Sequence, residues 1–186
     1  FFEWTRENMN NIYLLGDRVD KKIFQARRVY INIPLTWETL VLIEVLKNLG
    51  TDLIVVPLSS GENGSLKKET VPILKKWGVE VFEDATEENR IRALKLQPEF
   101  IFDCIGYATE TGLQHNLLQS VKGYLELTRT GVLKFQEWVI HGKITKPVIP
   151  IDEIPIKRRG EDLYGSGLAL LRVLLDLNIY LPSKKV

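Results

Sequence analysis

The stretch "RVYINIPLTWETLVLIEVLKNLGTDLIVVPL", residues 28–58, decides the fold class. Residues 28–34 are apolar and β-branched and run up to a proline, the signature of a buried strand. The helix that follows has Thr36 as its N-cap, Thr39 three residues on, apolar residues at helical spacing, and Gly50 as a stop. "DLIVVPL", residues 52–58, is a second strand with almost no polar interruption. Strands this continuously apolar are buried on both faces, which parallel sheets with crossover helices achieve.

Working outward, the same alternation continues. Strands are expected at 79–84, 99–107, 122–128 and 147–152, and helices at 66–78, 87–96, 109–119, 131–142 and 167–177. Pro72 makes the helix at 66–78 imperfect. Six strands separated by helices describe a three-layer α/β domain: a doubly wound, mostly parallel sheet, Rossmann-like or flavodoxin-like, with helices on both faces. Residues 1–27 read as a helical segment outside the sheet and 28–180 as the domain. In such a domain ligands sit beyond the carboxyl ends of the strands. The candidates are therefore Thr36 and Glu38, Ser59 to Asn63, Asp103 to Tyr107, Glu126 to Thr130, and Asp152 onward.

The bulk composition narrows the partners. At 186 residues and 45% hydrophobic, the chain has enough apolar material for a full core. A net charge of +1 supplies no global field, so neither nucleic acid nor an anionic membrane is expected as a partner. No apolar run approaches the ~20 residues that span a bilayer. A single cysteine excludes an internal disulfide framework and, with no apparent leader, points to the cytoplasm.

Familiar chemical signatures are weak. "GSGLAL", residues 165–170, lacks the third glycine of a dinucleotide fingerprint and follows no strand. "SSGENGS", residues 59–65, has the amides for an anion nest but reads more simply as a loop. Cys104, His115 and His141 fall on different elements without metal-ligand spacing, so no metal site is expected. Asp103, Glu126, Lys157 and Glu161 are a stronger set, because a carboxylate and an ammonium at strand ends are what acid–base work on a hydroxyl needs. Lys157 and Glu161 also fit a solvated loop pair.

Four segments together resemble the substrate-binding domain of the S-adenosylhomocysteine hydrolase family. They are "YINIPLTWETLVLIEVLKNLG" (30–50), "VKGYLELTRTGV" (121–132), "HGKITKPVIPID" (141–152) and "EDLYGSGLAL" (161–170), in the family's order and spacing. The resemblance implies adenosine-type ligands and self-association into an oligomer. It also implies an NAD supplied by a further domain, towards which residues 181–186 would cross. It assigns Thr36, Glu38, Thr39, Asp103 and Glu126 to the substrate, Lys157 and Glu161 to proton transfer, and Thr128, Thr130 and Asp162 to the cofactor.

The departures matter as much. Pro34 stands where the family has a histidine, Cys104 and Leu127 where it has catalytic carboxylates, and Arg129 inside its threonine run. Asp162 replaces an asparagine and Ser166 a cysteine, and the loop bearing Lys157 is one residue longer. Groups worth about 10²–10⁴-fold each are thus missing. The expectation is a divergent domain that binds a nucleoside without the standard hydrolase activity. Its alternatives are an NAD-dependent enzyme acting on another nucleoside or hydroxyl substrate, and a non-catalytic assembly scaffold. Arg129, within the run that the resemblance turns towards the cofactor, is expected either to clash with a nicotinamide or to pair with a phosphate or a carboxylate.

Overall fold

Strand follows helix from residue 28 to residue 150, and every strand pairs in parallel. The fold comes from a computed structural model that describes residues 1–58 and 67–178, with backbone alone at 67–68 and 162–163. The strands are β1 (Arg28–Asn32), β2 (Asp52–Val55), β3 (Glu80–Val81), β4 (Phe100–Asp103), β5 (Gly123–Glu126) and β6 (Val148–Pro150). They lie in the order β3-β2-β1-β4-β5-β6. The direction of winding therefore reverses between β1 and β4, which creates the crevice where open α/β sheets hold ligands.

The helices are α1 (Phe2–Asn8), α2 (Asn10–Arg18), α3 (Lys21–Phe24), α4 (Trp37–Asn48), α5 (Lys67–Lys76), α6 (Glu87–Lys95), α7 (Tyr107–Gln114), α8 (Arg129–Ile140) and α9 (Gly167–Asp176). Period-two alternation sends side chains to both faces of the sheet. Val29, Ile31, Leu53 and Val55 pack with Leu40, Ile43 and Leu46 of α4 and Val71 and Leu74 of α5. Tyr30, Ile54, Ile101 and Tyr124 face Ala93 and Leu94 of α6, Ala108 of α7, and Phe135 and Trp138 of α8. Each such aliphatic side chain contributes about 1.5–3 kcal/mol, which makes these two layers the main source of stability.

The amino-terminal helices lie outside the sheet. Phe2 meets Trp37 at 6.0 Å and Trp77 at 5.8 Å between ring centroids. Tyr13 donates to Glu44 of α4, and Arg6 pairs with the same carboxylate at 3.1 Å.

The differences from expectation lie at element ends. All six strands are shorter than their apolar runs, because the ladders end at residues such as Asn32, Val55, Asp103 and Glu126 while the apolar residues run on into the turns. The helix expected at 109–119 begins at Tyr107 and ends at Gln114, where Asn116 turns to φ 53°. The basic stretch expected to be a loop is a short 3₁₀ turn (Ile151–Glu153) followed by a π-helix (Lys157–Ser166) continuous with α9. The "GSGLAL" glycines lie inside that rod, Gly165 in the π-helix and Gly167 at the start of α9. Among the described residues no helix is long and apolar enough to cross a membrane.

Candidate functional site

Register aligns one residue from each strand at the crevice: Asn32 of β1 lies beside Asp103 of β4, which lies beside Glu126 of β5, which lies beside Pro150 of β6. Three polar side chains thus stand in a row at the carboxyl ends of the central strands. All three are buried, Asp103 and Glu126 completely.

Asp103 organises the turn into α7. Its Oδ1 accepts from the amides of Cys104 (2.9 Å) and Ala108 (3.2 Å), and its Oδ2 from the amide and hydroxyl of Thr109, both at 2.8 Å. Burial pushes its carboxyl up to about 7, against the pull of the Thr109 donors and with a further push from Glu126. Through Ala108 and Thr109 it satisfies two free amides in the first turn of α7, whose N-cap, Gly106, has no side chain to do so.

Glu126 spans two loops. Its Oε1 accepts from the amide and hydroxyl of Thr128, both at 2.7 Å, and from the amide of Ile105 at 3.1 Å; its Oε2 accepts from Gly106 at 3.1 Å. To aim both amides at one carboxylate, Ile105 and Gly106 take φ 64° and 69°. For a β-branched residue that is a strained conformation, worth about 1–3 kcal/mol, and the charge-assisted bonds offset it. Burial raises the Glu126 carboxyl, while the Thr128, Ile105 and Gly106 donors hold it down.

Thr128 uses all its bonding capacity. Its hydroxyl donates to Glu126 and accepts from the amides of Ile105 (3.0 Å) and Gly131 (3.2 Å), the latter as the N-cap of α8. Thr130 is exposed and forms no hydrogen bond with the described residues. Arg129 reaches Glu153 at 2.9 Å, so its partner is a carboxylate.

On the other side of the crevice Thr36 caps α4, accepting from the Thr39 amide at 3.3 Å, and the Thr39 hydroxyl donates to the Pro34 carbonyl at 2.7 Å. Glu38 stands exposed in the first turn and forms no hydrogen bond with the described residues. Lys157, at the start of the π-helix, is 13% exposed, with its ammonium 3.7 Å from Asp152 and 3.9 Å from Glu161. Its charge pulls the Cys104 thiol down, but burial and the two neighbouring carboxylates outweigh it and push that thiol up to about 12. Cys104 is a neutral thiol at neutral pH.

The structure thus brings Asp103, Glu126 and Thr128 into one network, with Lys157 near enough to Cys104 for its charge to favour the thiolate. Thr36, Glu38 and Thr39 form a separate group on α4. The Ser59 to Asn63 loop and the side chain of Asp162 lie outside the described residues. His115 pairs with Glu87 at 2.9 Å on the surface, and among the described residues no three metal-ligating side chains converge. Sequence reasoning passed over Asn32, whose Nδ2 donates to the Val56 carbonyl at 3.0 Å while its buried Oδ1 finds no donor. An asparagine ending an apolar strand at the switch point is the signal that marked it.

No family model matches the chain. It is similar to curated proteins across nearly all its length: 25% identical to the adenosylhomocysteinase of Gloeothece citriformis and 28% to the S-inosyl-L-homocysteine hydrolase of Methanopyrus kandleri, each over 99% of this chain and 45% of the relative. The adenosylhomocysteinase of Thermotoga maritima is 26% identical over 85% of this chain and 41% of its own length. The chain spans about half the length of the curated relatives it matches, and the resemblance read from its motifs extends along the whole of it.

Proposed function

We propose that this chain, adenosylhomocysteinase-like along its length, holds an adenosine-type nucleoside at the carboxyl ends of β1, β4 and β5 and does not perform the hydrolase reaction by itself. The observation that carries the reading is the state of the strand-end acids. Asp103 and Glu126 spend every oxygen on the protein's own donors. The next residues, Cys104 and Leu127, offer a neutral thiol and an alkyl group. No carboxylate at the ends of β4 and β5 is left to take a proton from a hydroxyl at the pace general-base catalysis needs.

In this reading Asp103 and Glu126 position the loops around the ligand, and Glu38, Thr36 and Thr39 lie towards its ring. Lys157, held by Asp152 and Glu161, is the group best placed to polarise a ligand oxygen. The relatives' printed names cover adenosyl and inosyl substrates, so a purine nucleoside is the shared chemistry. The residues of this chain do not by themselves fit NAD: the Thr128 hydroxyl is fully engaged, and Gly165 and Gly167 lie within a helix rather than after a strand. A dinucleotide would need a further domain, where it would supply hydride transfer.

Calorimetric titration with adenosine, inosine and S-adenosylhomocysteine tests the reading. Binding near millimolar, about −4 kcal/mol, is expected for one half of a cleft. Its loss in Glu38→Ala would support the assignment, and no heat from any of the three would end it. Arg129→Thr is expected to leave hydrolysis undetectable, because Cys104 and Leu127 remain; turnover by that variant would overturn the inactive reading.

A second reading, an assembly scaffold acting through a second copy of this chain, is favoured by α9, whose Leu168, Leu170, Val173 and Leu175 are all exposed. Light scattering that shows a monomer at every concentration would remove it.

A further inference from the structure

We infer that two copies of this chain associate by exchanging α9, each seating its helix in an apolar groove between α8 and β6 of the other. The inference goes beyond the scaffold reading above by naming the surface that receives the helix, and it does not depend on a bound nucleoside.

α9 supplies one half of the contact. Leu168, Leu171 and Leu175 fall at positions i, i+3 and i+7, the anchor spacing of a helix that lies in a groove. They are 63%, 40% and 60% exposed. Leu170 and Val173 widen the apolar face. The two charges of the helix, Arg172 and Asp176, stand one turn apart on the remaining side and pair with each other. An apolar arc of this width belongs against protein rather than water.

The same chain carries the other half. A groove of about 340 Å³ lies between α8 and the edge strand β6. Val132 and Phe135 form its floor and Val148 and Pro150 its strand side, while Val139 and Ile140 make an open rim, Ile140 being 80% exposed. Helix face and groove are both open in one chain, so α9 does not fill its own groove. Nor is there a hinge on which it could turn back. The π-helix and α9 wind without a break from Lys157, held beside Asp152 just past β6, and α9 extends about 15 Å beyond the π-helix. A second copy satisfies both surfaces at once. A two-fold axis gives each α9 a groove and each groove an α9, and it closes the assembly at two. Two helices and two grooves covered together fall in the size class of stable interfaces, about 1,200–2,000 Å².

Sedimentation equilibrium over a concentration series tests this on the unaltered chain, on Leu168→Glu and on Ile140→Glu. The unaltered chain should approach twice its own mass in the micromolar range and stop there. Each variant should weaken the pair at least about tenfold, since each sets a charge inside the contact. Both side chains are exposed in the single chain, so the unfolding midpoint of each variant, measured in dilute solution, should stay at that of the unaltered chain. Val139→Glu, on the same rim, replaces Ile140→Glu if that variant does not fold. A mixture of the helix variant and the groove variant retains one intact α9 and one intact groove between partners, and should recover part of the association. A dimer that the groove substitution leaves unchanged overturns the inference while leaving the scaffold reading intact, and so does a mass that keeps climbing with concentration. A monomer at every concentration overturns both.

Discussion

Gly131 has no room for a methyl group. A Cβ built there falls far inside contact distance of the Glu126 carboxylate, whose position is fixed by four donors. Gly131→Ala should therefore expel Glu126 from its site and cost about 3 kcal/mol, within the range for overpacking combined with lost charge-assisted bonds. Urea unfolding measures it, and a loss below about 1 kcal/mol would show that Glu126 has another place to go. The same carboxyls set a pH dependence. Both are raised above their unfolded values, Asp103 to about 7, so the folded protein holds a proton that the unfolded chain has already released. Their contribution is full below about pH 4 and is lost as pH rises towards 7, so the urea midpoint should be higher at pH 5 than at pH 7.5. Glu126→Gln should flatten that slope in part. Here the sequence was informative about identity but not direction: Asp103 and Glu126 were legible as strand-end acids, but the amides they bind belong to Ile105, Gly106 and Thr109. Only the folded turn, with φ 64° at Ile105, brings those donors round.

At the scale of elements, the caps are unequal. Thr36 caps α4 with a single bond of 3.3 Å, whereas Thr128 caps α8 while bridging Glu126 and Ile105. Thr36→Ala should cost about 1 kcal/mol, and Thr128→Val, which keeps the shape, about twice that. Equal losses in chemical denaturation would mean that the Thr128 bridge adds nothing beyond capping. The Thr36 cap was readable from the sequence, as were all six strands, because strands buried on two faces must be apolar throughout. Their ends were not readable: an apolar run such as residues 99–107 continues past the last ladder bond into Ile105, which is turn. The residues from Lys157 to Ser166, rich in charge and glycine, carry no periodicity that separates a π-helix from a loop.

For the molecule as a whole, the two ends of the chain contribute differently. α1 and α2 lie on α4, with Phe2 between Trp37 and Trp77 and Gly16 so close that a Cβ there would meet Val45 at 2.9 Å. α9 buries none of its residues. Removing residues 167–186 should therefore leave the melting temperature within about 2 °C and improve solubility, since an exposed apolar helix promotes association. Removing residues 1–18 should lower the melting temperature by several times as much. Scanning calorimetry on the two truncations distinguishes them, and a large drop for the first would show α9 packed on the sheet.

The π-helix has a consequence for direction. Its backbone and that of α9 form one uninterrupted winding, and nothing in α9 is anchored to the sheet. The compass bearing of the α9 leucines is therefore set by counting residues from Lys157, as a thread sets the angle of a screw. Gly160 lies on the open side of that winding, where an added Cβ would meet nothing within 4 Å. One residue fewer would swing the whole apolar stripe by roughly a quarter turn about the rod, re-aiming whatever surface α9 presents while leaving every strand in place.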